Sequence, residues 1–172
     1  MTDFIYYSVA SVDGFTPKAE LPDYLQKHAY KAESVCAWAL LIESYKKVFN
    51  EDLPVVSFLQ SGKPIINNGY ISISHSNGVV AVCFSKTKNV GIDVEMIKPE
   101  LYKNVSKFIS ATSPNEFYSL WTKREAVIKA KNYSALKKGA ELEFVGEAST
   151  IKANEKAFSL AVYGENAKFI KV

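Results

Sequence analysis

The sequence predicts an α+β fold, with two long helices and several short strands. Strand-like and helix-like segments follow one another in the same order twice along the 172 residues: a strand, a long helix and further strands. Strands are recognised by alternating polar and apolar residues, and helices by apolar residues at a 3.6-residue spacing. Because the two parts of the chain share no detectable residue-level identity, an internal duplication is inferred from the element order alone.

The first part of the chain opens with a strand and a long helix. Residues 4–9 are rich in aromatic and β-branched residues, which favour a strand. One long helix is predicted from about residue 23 to residue 49, between Pro22 and Pro54, because prolines commonly flank a helix. Its apolar face is predicted from the helical spacing of Leu25, Ala29, Ala32, Cys36, Ala39 and Leu40.

A hairpin is predicted next. Residues 70–74 alternate between polar and apolar side chains, and residues 79–84 form a compact apolar run. Asn77 and Gly78 lie between them and favour a tight turn, since both residues adopt positive φ angles readily. Residues 86–89 then form the natural seam between the two parts of the chain.

The second part of the chain repeats the pattern. Residues 90–96 predict a strand, and residues 115–131 predict the second main helix, which starts after Pro114. Closing strands are predicted over residues 141–145, 157–162 and 168–172. The core-facing stripe of the second helix is predicted to contain Phe117, Leu120, Trp121, Arg124 and Ile128.

The composition excludes several classes of protein. With 48% hydrophobic and 23% charged residues, the chain matches a globular protein rather than a disordered one. A net charge of +3 without a basic stripe does not match a nucleic-acid-binding protein. No signal peptide and no apolar run of membrane-spanning length are visible, so we expect a cytoplasmic protein without a membrane partner. Cys36 and Cys83 lie in apolar surroundings and are expected to be buried, reduced thiols.

Asp93 and Glu95 lie two residues apart in the strand predicted over residues 90–96. Alternate residues of a strand point to the same side, so one divalent cation is able to reach both carboxylates. Solvated acids on an edge strand would produce the same alternation. Both interpretations stay open on this pair alone.

Glu125 and Lys129 are four residues apart on the second main helix and are expected just beside its core-facing stripe. A third carboxylate near Asp93 and Glu95 would complete a site for a hard cation such as Mg²⁺. An ordinary Glu–Lys pair on a helix surface is the alternative. Together, the three acids and the lysine favour magnesium-assisted phosphoryl chemistry on a phosphate-rich cosubstrate.

The segment Ser74-His75-Ser76 closes a strand just before the predicted tight turn. Its two hydroxyls, its imidazole and the turn amides are able to donate hydrogen bonds to phosphate oxygens. Hydrogen bonds from these side chains to the local backbone are the alternative.

Two further segments carry basic residues. Lys27, His28 and Lys31 are predicted on adjoining turns of the first long helix, where they would either hold a phosphate or lie on a solvated face. Gly62-Lys63-Pro64 is a turn by composition and indicates nothing more by itself.

Four segments in this order resemble the motifs of the 4′-phosphopantetheinyl transferases, and most of all those of the surfactin-synthetase-type branch, in which two similar halves share one chain. The resemblance implies a pseudo-dimer in which each half is a long helix packed on a small, mostly antiparallel sheet. Residues 1–86 would form the coenzyme A adenine and phosphate side, and residues 87–172 the metal and catalytic side of a monomer. The four segments are Gly62-Lys63-Pro64, Ser74-His75-Ser76, Gly91-Ile92-Asp93-Val94-Glu95 and Trp121-Thr122-Lys123-Arg124-Glu125-Ala126 with Lys129.

The resemblance also implies an activity. The 4′-phosphopantetheine arm of coenzyme A would be transferred to a serine of an acyl or peptidyl carrier protein, and 3′,5′-ADP would be released. Asp93, Glu95 and Glu125 would hold Mg²⁺. Glu125 would also act as base on the serine hydroxyl, and Lys129 would assist the leaving group. Contacts with coenzyme A are implied for Lys31, Gly62, Lys63, Pro64, Ser74, His75 and Lys129.

Three features depart from the family pattern. Trp38 stands where an arginine is common in the first long helix, Arg124 stands where a lysine is usual, and the segment between Glu95 and Trp121 is short. The first and third departures favour an alternative: a catalytically weak member that binds coenzyme A or a carrier protein without transferring the arm. A metal-dependent phosphohydrolase of small nucleotides is a third interpretation, because it needs the same acids.

Overall fold

The computed structural model describes residues 2–105, 109–132 and 142–172. The protein is a mixed α+β structure, as the sequence predicts. Its helices are α1 (Asp23–Gln26), α2 (Ala32–Phe49), α3 (Pro99–Val105) and α4 (Pro114–Lys131), and a short 3-10 turn covers Val12–Gly14. Its strands are β1 (Phe4–Ser11), β2 (Val56–Phe58), β3 (Pro64–Ile66), β4 (Tyr70–Ser76), β5 (Val79–Ser85), β6 (Gly91–Met96), β7 (Gly146–Ala153), β8 (Lys156–Tyr163) and β9 (Lys168–Lys171).

The strands form two main sheets and one small hairpin. The first sheet has the order β4-β5-β1-β9, the second has the order β6-β8-β7, and β2 pairs with β3. Neighbouring strands are antiparallel, except that β9 runs parallel to β1. Helix α2 packs on the first sheet and α4 on the second.

The two parts of the chain share one arrangement of elements. The order β4-β5-β1 in the first sheet matches the order β7-β8-β6 in the second. In each part the chain runs from one strand (β1 or β6) through a long helix to a hairpin (β4–β5 or β7–β8), and the second strand of the hairpin pairs with the opening strand. Both long helices have 18 residues and end at a left-handed asparagine, Asn50 with φ 54° and Asn132 with φ 53°. The division into halves 1–86 and 87–172 and their pseudo-dimeric arrangement stay predictions.

The prediction of one helix over residues 23–49 is wrong, because residues 27–31 separate α1 from α2. Lys31 has an extended backbone, with φ −108° and ψ 149°, which no helical residue adopts. The ring of His28 stacks on Phe58 of β2, with the ring centroids 4.0 Å apart. This tertiary contact favours a non-helical backbone in the segment. Contrary to the prediction, Lys27, His28 and Lys31 therefore do not lie on adjoining turns of one helix.

The hairpin predicted around Asn77 and Gly78 is confirmed. Strands β4 and β5 are paired up to Ser76 and Val79, which leaves a two-residue turn. The two turn residues have φ angles of 49° and 82°, and positive φ at both positions is what this class of turn requires.

Helix α4 is also confirmed, and Pro114 is its first residue. Of the predicted core-facing stripe, Phe117 is buried as predicted, but the other four residues are not. Leu120 is 37% exposed, and Trp121, Arg124 and Ile128 are only partly buried. The buried residues of α4 are Phe117, Tyr118, Thr122, Ala126, Val127 and Ala130.

The close approach of α4 to β6 explains this difference. A Cβ atom at Gly91, the first residue of β6, would lie 1.9 Å from the carbonyl oxygen of Ala126. Only small side chains fit where the two backbones come so near, so Ala126 and Ala130 face the sheet. Leu120, Trp121 and Ile128 remain at least partly exposed.

The closing strands agree with the sequence only in part. Strands β8 and β9 were predicted, whereas residues 142–145 do not form a strand and residue 141 lies outside the described residues. Strand β7 was missed because most of its side chains are exposed, and it is held by backbone pairing with β8 rather than by apolar alternation. Strands β2 and β3 and helix α3 were missed as well.

Buried side chains form a core on each side of the first sheet and under α4. The second of these cores joins the two sheets. Cys36 and Cys83 are buried free thiols, as predicted. Trp38 is 5% exposed and meets Phe58 edge-on, so the residue that replaces the expected arginine belongs to the core. No helix in the described part of the chain is long and apolar enough to cross a membrane.

Candidate active site

Asp93 and Glu95 lie on β6, where this strand passes β4. Ser74 Oγ donates a hydrogen bond to Asp93 Oδ1, and Ser76 Oγ donates one to Glu95 Oε2, both at 2.9 Å. The side chain of Asp93 is only 5% exposed, while Glu95 is partly buried. The intervening Val94 enters the apolar core between the sheets. Strand alternation therefore turns both acids toward β4, as the sequence predicts.

Lys129 approaches the same point from α4. Its Nζ atom lies 2.7 Å from Asp93 Oδ1 and donates hydrogen bonds to Ser74 Oγ at 2.9 Å and to the carbonyl oxygen of Ile92 at 3.2 Å. Three acceptors thus fix the ammonium group of a side chain that is still 32% exposed. The ion pair joins α4 to β6 beside the close contact at Gly91.

A cleft of about 290 Å³ brings most of the predicted site residues together. The protein thus presents three carboxylates, one ammonium group and one imidazole to a single space between β4, β6 and α4. It is lined by Ile73, Ser74, His75, Asp93, Glu95, Trp121, Glu125 and Lys129.

The charge in this cleft is unevenly balanced. Burial raises the pKa of Glu95, and the neighbouring charge of Asp93 raises it further. The hydrogen bond from Ser76 and the charges of Lys129 and Lys98 act in the opposite direction. The first two effects prevail, so the site favours an added positive charge near Glu95.

Mg²⁺ is the cation that the sequence analysis expects here, and the donor set suits it because carboxylate oxygens are its usual protein ligands. Oδ2 of Asp93 is buried and has no hydrogen-bond partner among the described residues, which is an unfavourable state for a carboxylate oxygen. The same residues contain no group of three or more His, Cys, Asp or Glu arranged to hold a metal. The acids of β6 therefore fit a cation that takes its other ligands from phosphate and water, rather than one enclosed by protein ligands.

His75 is held by Glu33, a residue that the sequence analysis did not select. His75 Nδ1 lies 3.0 Å from Glu33 Oε2, and the amide of Gly78 donates to Glu33 Oε1 at 2.6 Å. Glu33 thus clamps the β4–β5 turn to the start of α2 and leaves Nε2 of His75 for other partners. Residues 33 and 75 are far apart in sequence, so no local pattern indicated this contact.

The Gly62-Lys63-Pro64 segment lines a neighbouring cleft of about 280 Å³, which also includes Lys129. Lys129 therefore borders both clefts. Burial lowers the pKa of Lys63, and its Nζ atom donates a hydrogen bond to the carbonyl oxygen of Ala130 near the end of α4. Lys63 thus has a structural contact in addition to any ligand contact.

Lys31 is exposed at the residue that precedes α2. It does not line either of the two clefts described above. The cleft of about 290 Å³, which we call the acidic cleft, thus contains six of the predicted site residues: Ser74, His75, Asp93, Glu95, Glu125 and Lys129. The Gly62-Lys63-Pro64 segment lines the neighbouring cleft, and Lys31 lines neither.

Comparison with known proteins supports one superfamily. No protein-family model matches the chain. The chain is 25% identical over 133 residues to a protein named 4′-phosphopantetheinyl transferase AcpT from Salmonella typhimurium, and equally to its namesake from Salmonella typhi. Each alignment covers 67% of this chain and 69% of the relative. This similarity supports the phosphopantetheinyl transferase superfamily. It does not distinguish the branches within it.

Proposed function

We propose that this protein transfers the 4′-phosphopantetheine group of coenzyme A to a serine of an acyl or peptidyl carrier protein, in a Mg²⁺-dependent reaction that releases 3′,5′-ADP. The observation that carries the proposal is the single cleft shared by His75, Asp93, Glu95, Glu125 and Lys129. Phosphoryl transfer requires alignment and charge neutralisation, and these groups are of the kinds that provide both. Similarity to proteins named as phosphopantetheinyl transferases supports the same reaction.

Asp93 and Glu95 would hold the cation, with Glu125 as the third carboxylate of the cleft. Mg²⁺ bound there would supply positive charge against the diphosphate of coenzyme A. The raised pKa of Glu95 and the unpartnered Oδ2 atom of Asp93 both support a positive group at this position.

Lys129 and Glu125 would carry out the proton and charge chemistry. The serine oxygen of the carrier protein would form a bond to phosphorus, and the bond from phosphorus to the bridging oxygen would break. Glu125 would accept the serine proton, and Lys129 would stabilise the negative charge on the leaving 3′,5′-ADP. The ion pair between Lys129 and Asp93 supports this role, because it fixes the ammonium group before substrate arrives.

Coenzyme A would occupy the two adjoining clefts. Lys63 and Pro64 would flank the adenine, and His75 would donate to a phosphate while Glu33 orients its ring. The hydroxyl proton of Ser74 is directed to Asp93, so Ser74 would act on phosphate through Lys129 rather than by a direct bond. Lys31 would contribute only at an outer phosphate.

The proposal includes the architecture. We propose a pseudo-dimer of the surfactin-synthetase type in one cytoplasmic, monomeric chain, with residues 1–86 and 87–172 as its halves. The matching strand orders β4-β5-β1 and β7-β8-β6 support two related halves. Both walls of the acidic cleft come from one chain, which supports a monomer.

The test is to incubate the protein with coenzyme A, Mg²⁺ and several apo carrier proteins, and then to weigh the carriers by mass spectrometry. A gain of one phosphopantetheine group is expected, together with release of 3′,5′-ADP. Asp93→Asn is expected to lose this activity. Asp52→Asn is the control, because Asp52 is an exposed acid paired with Lys46 outside the cleft. No gain on any carrier would refute the proposal.

A binding module without transferase activity is the second candidate. It is favoured by the ion pair between Lys129 and Asp93, which occupies one oxygen of a carboxylate that the cation would need. The same experiment separates the two, since a module would bind coenzyme A or a carrier without a mass gain. Release of 3′,5′-ADP without any acceptor would instead indicate a phosphohydrolase.

A further inference from the structure

Ser72, Ser74 and Ser76 of β4 form a row against β6, which we call the serine row. Their Oγ atoms accept hydrogen bonds from three backbone N–H groups of β6, those of residues 92, 94 and 96, at 3.1, 3.2 and 3.2 Å. The offset of 20 residues is constant, so the two strands run in the same direction. The strands belong to different sheets, and hydroxyl groups take the place that carbonyl groups have in an ordinary sheet.

The hydroxyl group of Ser76 has no freedom to turn. It accepts from the amide of Met96 at 3.2 Å and from Nδ2 of Asn77 at 3.0 Å, and it donates to Glu95 Oε2 at 2.9 Å. A serine hydroxyl has one proton and two lone pairs, and all three are in use. The direction of the Glu95 carboxylate is therefore set by the backbone of its own strand, through a side chain of β4.

The same geometry recurs at Ser74. Its Oγ atom accepts from the amide of Val94 at 3.2 Å and from Lys129 Nζ at 2.9 Å, and it donates to Asp93 Oδ1 at 2.9 Å. At both positions the serine accepts from one residue of β6 and donates to the acid that precedes it. The spacing of the serines thus matches the spacing of the acids.

Ser72 belongs to the same row, but no acidic residue of β6 lies opposite it. It accepts from the amide of Ile92, and the residue that precedes Ile92 is Gly91, which has no side chain. Ser72 is 4% exposed and Ser76 is 7% exposed, so the two are buried alike. Ser72 therefore contributes to the seam between the sheets but not to the direction of a carboxylate.

We propose that Ser76 is a positioning residue for cation binding, because the serine row holds one oxygen of each β6 carboxylate in the shared cleft. The proposal rests on the function proposed above, since it concerns the cation of that reaction. Groups that orient metal-binding carboxylates by hydrogen bonds typically change metal affinity 10- to 100-fold when they are removed.

Mn²⁺ binding tests the proposal without any measurement of activity. Mn²⁺ prefers the same oxygen ligands as Mg²⁺, and its free ion is measured by electron paramagnetic resonance. Titrations without coenzyme A would compare wild type with Ser76→Ala, Ser76→Thr and the matched control Ser72→Ala, and wild type would also be titrated with coenzyme A. The control is compared only without coenzyme A, because Ser72 lines the neighbouring cleft proposed for that cosubstrate. Thermal unfolding would be measured for all four proteins.

Ser76→Ala is expected to weaken Mn²⁺ binding about tenfold, and Ser72→Ala less than about twofold. Ser76→Thr keeps the hydroxyl and is expected to retain most of the affinity. Both alanine variants should lose thermal stability, because each leaves one N–H group of β6 without its partner. Ser76→Ala also removes the hydrogen bonds with Asn77 and Glu95, so its loss should be at least as large as that of Ser72→Ala.

Equal Mn²⁺ affinity in Ser76→Ala and Ser72→Ala would overturn the positioning role and leave the proposed function untouched. A wild-type protein that fails to hold Mn²⁺ even with coenzyme A would overturn both the positioning role and the cation assignment. The carrier-protein mass measurement would then decide separately whether the transferase proposal survives.

Discussion

Gly91→Ala is expected to disturb the fold and the acidic cleft together. The added Cβ atom would lie 1.9 Å from the carbonyl oxygen of Ala126 and 2.9 Å from the amide nitrogen of Ala130. Both obstacles are backbone atoms, so no side-chain rotation relieves the contact. Helix α4 or strand β6 has to move by about 1 Å before the distance becomes tolerable.

The expected cost is at the upper end of the range for overpacking, about 3 kcal/mol in the free energy of unfolding. For a chain of this length that corresponds to a decrease of roughly 6–12 °C in the unfolding midpoint. Because Glu125 and Lys129 immediately precede the two contacting residues of α4, Ala126 and Ala130, the same shift moves them relative to Asp93. A displacement of about 1 Å in a catalytic group is able to reduce a rate by about 100-fold.

The assay compares Gly91→Ala with Gly146→Ala by thermal unfolding and by Mn²⁺ titration. A Cβ atom at Gly146 would lie 2.0 Å from the carbonyl oxygen of Val162, a similar clash on the edge strand β7 that carries no candidate site residue. Both variants should lose stability, but only Gly91→Ala should also lose Mn²⁺ affinity. A Gly91→Ala protein as stable as wild type would refute the close approach, and equal Mn²⁺ loss in both variants would refute the link to the site.

Three further predictions concern single side chains. Asp93→Ala should abolish Mg²⁺-dependent modification of carrier proteins and lower the unfolding free energy in urea by only about 1–3 kcal/mol, so circular dichroism should show an intact fold. The raised pKa of Glu95 means that the folded protein binds the Glu95 proton more tightly than the unfolded chain does. The free energy of unfolding contributed by Glu95 should therefore fall as pH rises above the ordinary pKa of 4.5. Glu95→Gln should flatten that decline when unfolding is measured by urea titration at several pH values. Burial raises the pKa of the thiols of Cys36 and Cys83, so a thiol reagent at pH 8 should react far more slowly with the native protein than with protein in guanidinium.

Elements with strong local signals were predicted well from the sequence. The Asn77-Gly78 turn requires positive φ angles that these residues supply, and α4 follows a proline that suits the first turn of a helix. The alternation along β6 also placed both acids on one side correctly. These features depend on residues within a few positions of one another.

Features that depend on distant residues were not predictable. The apolar spacing gave little weight to Ala126 and Ala130, although the contact with Gly91 requires small side chains there. The break before α2 depends on the ring of His28 meeting Phe58, which is 30 positions later. Glu33 showed no local sign of its contact with the turn.

The acids and the lysine of the cleft explain why a cation and a diphosphate are expected to bind together. Lys129 already neutralises one oxygen of Asp93, while burial and then the charge of Asp93 raise the pKa of Glu95. A diphosphate alone would add negative charge beside these carboxylates, which is unfavourable at short range. In the proposed reaction, Asp93 and Glu95 would hold a divalent cation whose charge would reverse the sign of that interaction, and Lys129 would add further positive charge to the cleft. Under the proposed function, the residues that would repel coenzyme A by itself would therefore bind it as a complex with a metal ion.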